Sequence, residues 1–225
     1  MKVIVFDLGG TLMQYVGMPY SWIDFYYQGF NAIVKKYNCN VSKKDIEKSV
    51  QILKDFNPRV NYREVDYTAE YIFKTALEHW HIDMPIEYYI EEFWSGLNLS
   101  TDIYSDTFDV LYQLKEKGYI IAALTDLPNG MPDYIFKREI TELLDCFDCY
   151  LSSSVVGYRK PHTKGLEIIA DKFKFPITDL IFVGDEEKDR KTADRANCKF
   201  IHIQRTDSSD KNSCLYELLK GELII

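Results

Sequence analysis

Apolar positions along the chain follow two periods, and the two alternate. Short runs rich in β-branched and aromatic residues, at 2–6, 119–124, 149–151, 180–183 and 199–203, read as strands. Between them, apolar groups recur every three or four residues, which reads as helix. The clearest stretch, 106–117, places Phe108, Leu111, Tyr112 and Leu114 on one face and stops at Gly118, a favoured residue just past a helix end. Stretches 131–144, 162–173 and 188–196 read the same way, and 209–219 supplies a closing helix. Right-handed crossovers between these elements predict an α/β three-layer sandwich around a five-stranded parallel sheet.

The first strand departs from this alternation. About 85 residues, 16–100, follow it without a strand-like run. Trp22, Tyr26, Phe30, Ile33 and Tyr37 form a helical stripe there. Ser42 caps a helix over 43–53, with Asp45 three residues on as a variant of the capping box. Ile72, Ala76 and Trp80, and then Ile86, Ile90, Phe93 and Leu97, mark two further helices. The chain is therefore expected to divide into an α/β core, 1–15 with 101–225, and an inserted four-helix module over 16–100. That module holds all three tryptophans and about half of the aromatic residues. The rings are read as its core or a self-association face, which makes a homodimer an option, with substrate contact as the lesser reading.

Composition narrows the function. A chain of 225 residues with 46% hydrophobic content can bury a full core. Its net charge of -8 argues against a nucleic-acid or membrane surface, so a cation is expected to mediate any phosphate chemistry. No apolar run approaches membrane-spanning length, and the N-terminal run reaches Asp7 too early for a signal peptide. Five cysteines without an export signal read as reduced thiols in a cytoplasmic protein, and Cys146 and Cys149 read as packing rather than a redox pair.

In an open parallel sheet, ligands bind beyond the carboxyl ends of the strands. Asp7 follows the first strand, Thr125 and Asp126 the second, Asp185 the fourth, and Lys160 lies in the loop after the third. Asp7 and Asp185, with Asp189 one helical turn later, would repel one another in a shared cleft unless a cation lay between them. Mg²⁺, held by a few carboxylates plus waters and phosphate oxygens, suits this set. Lys160 and the Thr125 hydroxyl can stabilise charge on a transferring phosphoryl group, and an aspartate can attack phosphorus.

The runs VIVFDLGGT (3–11), IAALTD (121–126), VGYRKP (156–161) and FVGDEEKD (182–189) resemble, in order, the four motifs of the haloacid dehalogenase-like superfamily. The resemblance implies a Rossmann-like core with a helical cap inserted after the first motif, and a Mg²⁺-dependent phosphohydrolase acting on a small phosphorylated substrate. It implies Asp7 as nucleophile, and Thr125 and Lys160 as phosphate binders. It implies a metal held by Asp7, Asp185 and the carbonyl of Gly9, with Asp189 reaching it mostly through water. Asp126 stands where the family commonly has Asn and orients its loop or touches substrate. Gly10, Gly157 and Gly184 read as tight turns, with Gly10 at the substrate-binding loop.

One position breaks the pattern. Phosphatases of the family usually carry Asp two residues after the nucleophile, as general acid and then base; here it is Gly9. The favoured reading is a phosphatase that uses good leaving groups or borrows a proton from water, Gln14, Tyr15 or a cap carboxylate. Alternatives are phosphonoacetaldehyde-hydrolase-like cleavage of a carbon–phosphorus bond, which needs a Schiff-base lysine among Lys35, Lys36, Lys43, Lys44, Lys48, Lys54 and Lys74, and a non-catalytic phosphate- or partner-binding protein.

Overall fold

The computed structural model describes residues 2–17, 22–205 and 214–222. Seven strands are present among them: β1 (Val3–Phe6), β2 (Met13–Tyr15), β3 (Thr101–Ile103), β4 (Ile120–Thr125), β5 (Cys149–Ser152), β6 (Ile181–Gly184) and β7 (Lys199–His202). Five form one parallel sheet in the order β5-β4-β1-β6-β7, so the α/β Rossmann-like fold expected from the sequence is the fold observed. The central strand is β1. Its four residues are all buried, as a strand covered on both faces requires.

The period of two in β1 assigns its side chains to opposite layers. Ile4 and Phe6 pack with Val110, Leu111 and Leu114 of α5 (Thr107–Glu116) on one face. Val3 and Val5 pack with Leu166 and Ile169 of α9 (Lys164–Phe173) and with Ala193 of α10 (Glu187–Ala196) on the other. The stretch 131–144, expected as one helix, is two: α6 (Asp133–Glu139) and α7 (Thr141–Leu144). Ile140, at φ -122, takes the chain out of helical geometry between them. A short α8 (Ser153–Val156) follows β5. The closing helix is α11 (Cys214–Glu222); residues 209–213, where it was expected to start, lie outside the described residues.

Four helices lie between β2 and β3: α1 (Tyr26–Tyr37), α2 (Lys43–Asp55), α3 (Ala69–Ala76) and α4 (Ile86–Ser95). The Ser42 capping box is formed: its hydroxyl accepts from the Asp45 N–H at 3.3 Å, and the Asp45 carboxylate accepts from the Ser42 N–H at 3.1 Å. Trp22 precedes a 3₁₀ turn rather than starting the helix, and Trp80 falls beyond the end of α3. The rings do fill the core of these helices, with Phe93 at 5.0 Å from both Phe30 and Phe73. Antiparallel β2 and β3 were not expected. They pair at the point where the helical segment leaves and re-enters the chain, with Gln14 opposite Asp102.

Gly29 of α1 lets that helix approach α4, since a Cβ there would lie 2.5 Å from the Phe93 ring. Phe93 is wedged between other rings and has no room to yield. Gly29→Ala should therefore cost about 1–3 kcal/mol, as overpacking does, read as a lower urea midpoint with an unchanged m-value.

Candidate active site

The loop from β1 to β2 is a set of tight turns. The N–H groups of Thr11, Leu12 and Met13 all donate to the Leu8 carbonyl, and the Gly10 N–H donates to the Met13 carbonyl at 2.8 Å. Gly10, at φ 76, is needed twice over. It adopts a left-handed conformation, and a Cβ on it would stand 2.2 Å from Asp185 Oδ2. Its N–H is already engaged, so its part in the site is to admit the Asp185 carboxylate. Gly184 is not a turn glycine, contrary to expectation. It has no positive φ, and it is small because a Cβ would meet Asp189 Oδ2 at 2.6 Å.

Asp7, Asp185 and Asp189 converge, with one oxygen of each lying within 4.8 Å of the others. Lys160 joins them from the loop after β5, its Nζ 2.7 Å from Asp7 Oδ1 and 2.6 Å from Asp189 Oδ1. Asp189 is fully buried, and its other oxygen accepts the Glu186 N–H at 2.9 Å, closing a capping box at the start of α10. The contact with Lys160 lies outside hydrogen-bond geometry, so Asp189 Oδ1 remains a buried acceptor without a proper donor. Three carboxylates gathered around one such unsatisfied oxygen suit a hard divalent cation.

Burial dominates the protonation of this cluster. It raises the Asp7 carboxyl to about 7, opposed by the Lys160 charge and assisted by Asp189. It raises Asp185 to about 6, with Asp189 and Glu186 adding to the effect. For Lys160, burial alone would favour the neutral amine, but the facing carboxylates of Asp189 and Asp7 outweigh it and hold the ammonium charged well above its usual range.

A cavity of about 490 Å³ opens over Asp7, and Gly9, Gly10, Thr125 and Asp126 also line it. Lys160, Asp185 and Asp189 are not in its wall and reach it through contact with Asp7 and the Gly10 turn. Asp126 Oδ1 accepts the Lys160 N–H at 3.1 Å, which ties the β4 loop to the Lys160 loop. Burial works against ionising Asp126, yet Arg159 and Lys188 keep its carboxyl below the ordinary value. His162 does not line the cavity; its ring stacks on Tyr158 at 4.0 Å.

The cavity also holds cations that the spacing of polar residues did not single out: Arg59, Arg159, Lys188 and Arg205. Arg159 and Lys188 directly precede Lys160 and Asp189, so adjacency was an available signal. Arg59 lies in the loop between α2 and α3, and its guanidinium meets the Glu186 carboxylate at 3.0 Å. The same loop pairs its backbone with the Lys160 loop. The Arg159 N–H donates to the Glu64 carbonyl at 2.7 Å and the Asp66 N–H to the Gly157 carbonyl at 2.9 Å. An ion pair of 3.0 Å joins Arg159 to Asp66. None of Lys35, Lys36, Lys43, Lys44, Lys48, Lys54 and Lys74 lines the cavity.

With this geometry in view, the class is that of an α/β protein whose acidic cluster sits at the carboxyl ends of parallel strands. The chain belongs to the haloacid dehalogenase-like hydrolases, whose family model matches residues 1–197. Among curated relatives it is similar to a phosphoglycolate phosphatase of Haemophilus influenzae (strain ATCC 51907 / DSM 11121 / KW20 / Rd), 30% identical over 90% of this chain and 85% of that one. A second, from Haemophilus influenzae (strain 86-028NP), is 27% identical over the same shares. Among solved structures, the HAD phosphatase from Thermococcus onnurineus superposes with a TM-score of 0.61 at 22% identity, covering 99% of this chain and 98% of that one. CbbY from Rhodobacter sphaeroides, in complex with phosphate, gives 0.54 at 12% identity over 96% and 91%. These two likenesses bear on the fold.

Proposed function

We propose that this hydrolase is a Mg²⁺-dependent phosphohydrolase of small phosphorylated metabolites, with Asp7 as nucleophile. The convergence of Asp7, Asp185, Asp189 and Lys160 carries the reading. Asp7, Asp185 and the Gly9 carbonyl would hold the ion, with Asp189 behind them, and Mg²⁺ would supply charge neutralisation to the phosphoryl oxygens. The Asp7 carboxylate attacks phosphorus and forms an acyl-phosphate that water then cleaves. Lys160 favours the ionised form of Asp7 against burial and contributes positive charge as the phosphoryl group transfers, and the Thr125 hydroxyl donates to its oxygens.

Residues 16–100 act as the cap, and Trp22, Tyr26, Asn57 and Arg59 bring it to the cavity wall. The volume suits a metabolite-sized ligand. Arg59, Arg159 and Lys188 favour a second anionic group on it, so phosphoglycolate, the compound in the relatives' names, is the first candidate. The described free cysteines, Cys39, Cys146, Cys149 and Cys198, support a cytoplasmic setting. Carbon–phosphorus cleavage is disfavoured, because no cap lysine among the described residues lines the cavity to form the Schiff base. A panel of metabolite phosphates assayed with Mg²⁺ tests the proposal: release of phosphate from small anionic monoesters supports it, and no release from any monoester refutes it.

A pH dependence follows. The folded-state values of Asp7 and Asp185 are raised, so their contribution to stability is full below about pH 4, the ordinary carboxyl value. It is lost as pH rises through about 6 and 7. The cation binds the ionised forms. Mg²⁺ should therefore raise the melting temperature much more near pH 7.5 than near pH 5, as differential scanning fluorimetry can measure; an equal rise at both would contradict the assignment.

A further inference from the structure

Residue 9 has no side chain, so the leaving-group oxygen must find its proton elsewhere in the cavity. Among the described cavity-lining residues, the carboxylates other than Asp7 are Asp126 and Glu186. Both are engaged as acceptors. Asp126 accepts the Lys160 N–H at 3.1 Å and faces the Lys188 ammonium at 3.5 Å, and Glu186 pairs with Arg59 at 3.0 Å and with Lys188 at 3.1 Å. A carboxylate paired in this way accepts protons rather than donating them.

Three phenols line the same cavity: Tyr15, Tyr26 and Tyr104. Tyr26 is buried and its hydroxyl accepts from Asn57 Nδ2 at 2.9 Å. The Tyr15 hydroxyl is directed at Met131 Sδ, 3.9 Å away. Tyr104 differs from both. Its N–H donates to the Leu12 carbonyl at 3.1 Å and its hydroxyl to Gln14 Oε1 at 3.4 Å, which fastens it to the turn that carries Gly9. The Arg205 guanidinium lies over its ring, 4.2 Å from the centroid. Arg205 is itself fixed by both Asp106 oxygens, at 2.9 and 3.0 Å, and by the Thr11 carbonyl. The cation on the ring face holds the phenol against the Gly9 turn and would offset negative charge developing on it.

We infer that Tyr104 is the proton-transfer residue for the leaving group, in place of the side chain missing at Gly9. The inference rests on the phosphohydrolase reading above. As the bond from phosphorus to the leaving oxygen breaks and the bond to Asp7 forms, the phenol proton passes to that oxygen, giving the alcohol and a phenolate. Water then adds to phosphorus and its proton passes to the phenolate. The bond to Asp7 breaks, inorganic phosphate leaves, and both side chains return to their starting states.

Tyr104→Phe tests this, since the ring and its stacking on Arg205 are kept and only the hydroxyl is lost. Release of the leaving group in a single turnover with Mg²⁺ is compared for an alkyl phosphate and p-nitrophenyl phosphate, in the wild-type and Gly9→Asp backgrounds. The expected result is a loss of about 10²-fold or more on the alkyl ester in the wild-type background. The loss should be far smaller on the nitrophenyl ester, whose oxygen leaves without a proton, and small on both esters in the Gly9→Asp background. Equal losses on both esters in both backgrounds would mean a structural role and overturn the inference, as would no loss at all. Wild-type turnover with an indifferent Tyr104→Phe sinks Tyr104 alone, whereas a wild-type protein that hydrolyses no monoester sinks the phosphohydrolase reading with it.

Discussion

Asp7→Asn should abolish hydrolysis of p-nitrophenyl phosphate, with a fall in kcat of roughly 10⁴-fold or more, as expected for loss of a covalent nucleophile. The substitution is nearly isosteric, and the backbone contact that seats the residue, from the Asp7 N–H to the Val183 carbonyl at 2.8 Å, does not involve the side chain. Lys160 keeps its second partner, Asp189, at 2.6 Å. The fold should therefore survive while turnover does not. A steady-state assay paired with a thermal melt checks both halves. Residual activity within tenfold of wild type would remove Asp7 from the chemistry.

In the Tyr104→Phe background, where that phenol no longer supplies the proton, Gly9→Asp should do the opposite on poor leaving groups and raise the rate on alkyl phosphates by about 10²–10⁴-fold, the usual worth of a positioned acid/base. Nothing lies within 4 Å of a Cβ built at Gly9, and its φ is not positive, so a Cβ there meets neither a clash nor backbone strain. By contrast, a side chain at Gly10 would strike Asp185. The gain should be small on p-nitrophenyl phosphate, because that oxygen is stable once expelled. Equal acceleration of both esters would show that the new carboxylate acts on something other than the proton.

The parallel sheet was legible because each strand is short, apolar and followed by a helical period, and because polar residues stand where those runs stop. Asp7, Thr125 and Asp185 could be placed from strand ends alone. Lys160 could be placed only to a loop, and its contact with two aspartates is a long-range fact that no local pattern encodes. The three-residue strands β2 and β3 carry too few positions to show a period of two, so their pairing was invisible. The same holds for the break at Ile140, which interrupts a stretch whose apolar spacing is helical throughout.

Gly184 shows a different limit. A glycine's spacing does not reveal whether it serves a turn or the close approach of another residue, here Asp189. No local pattern marks Tyr104 or Arg205, because their significance depends on which side of the Gly9 turn they pack against. That is set by the β2–β3 pairing the sequence did not reveal.

The role of Asp7 as nucleophile is tested most directly by peptide mapping after an acid-quenched single turnover of p-nitrophenyl phosphate with Mg²⁺. A phosphoryl group is expected on the peptide containing Asp7, sensitive to hydroxylamine and absent when Mg²⁺ is chelated. Turnover with the phosphoryl group on another peptide, or with none on the protein at any quench time, would contradict that role.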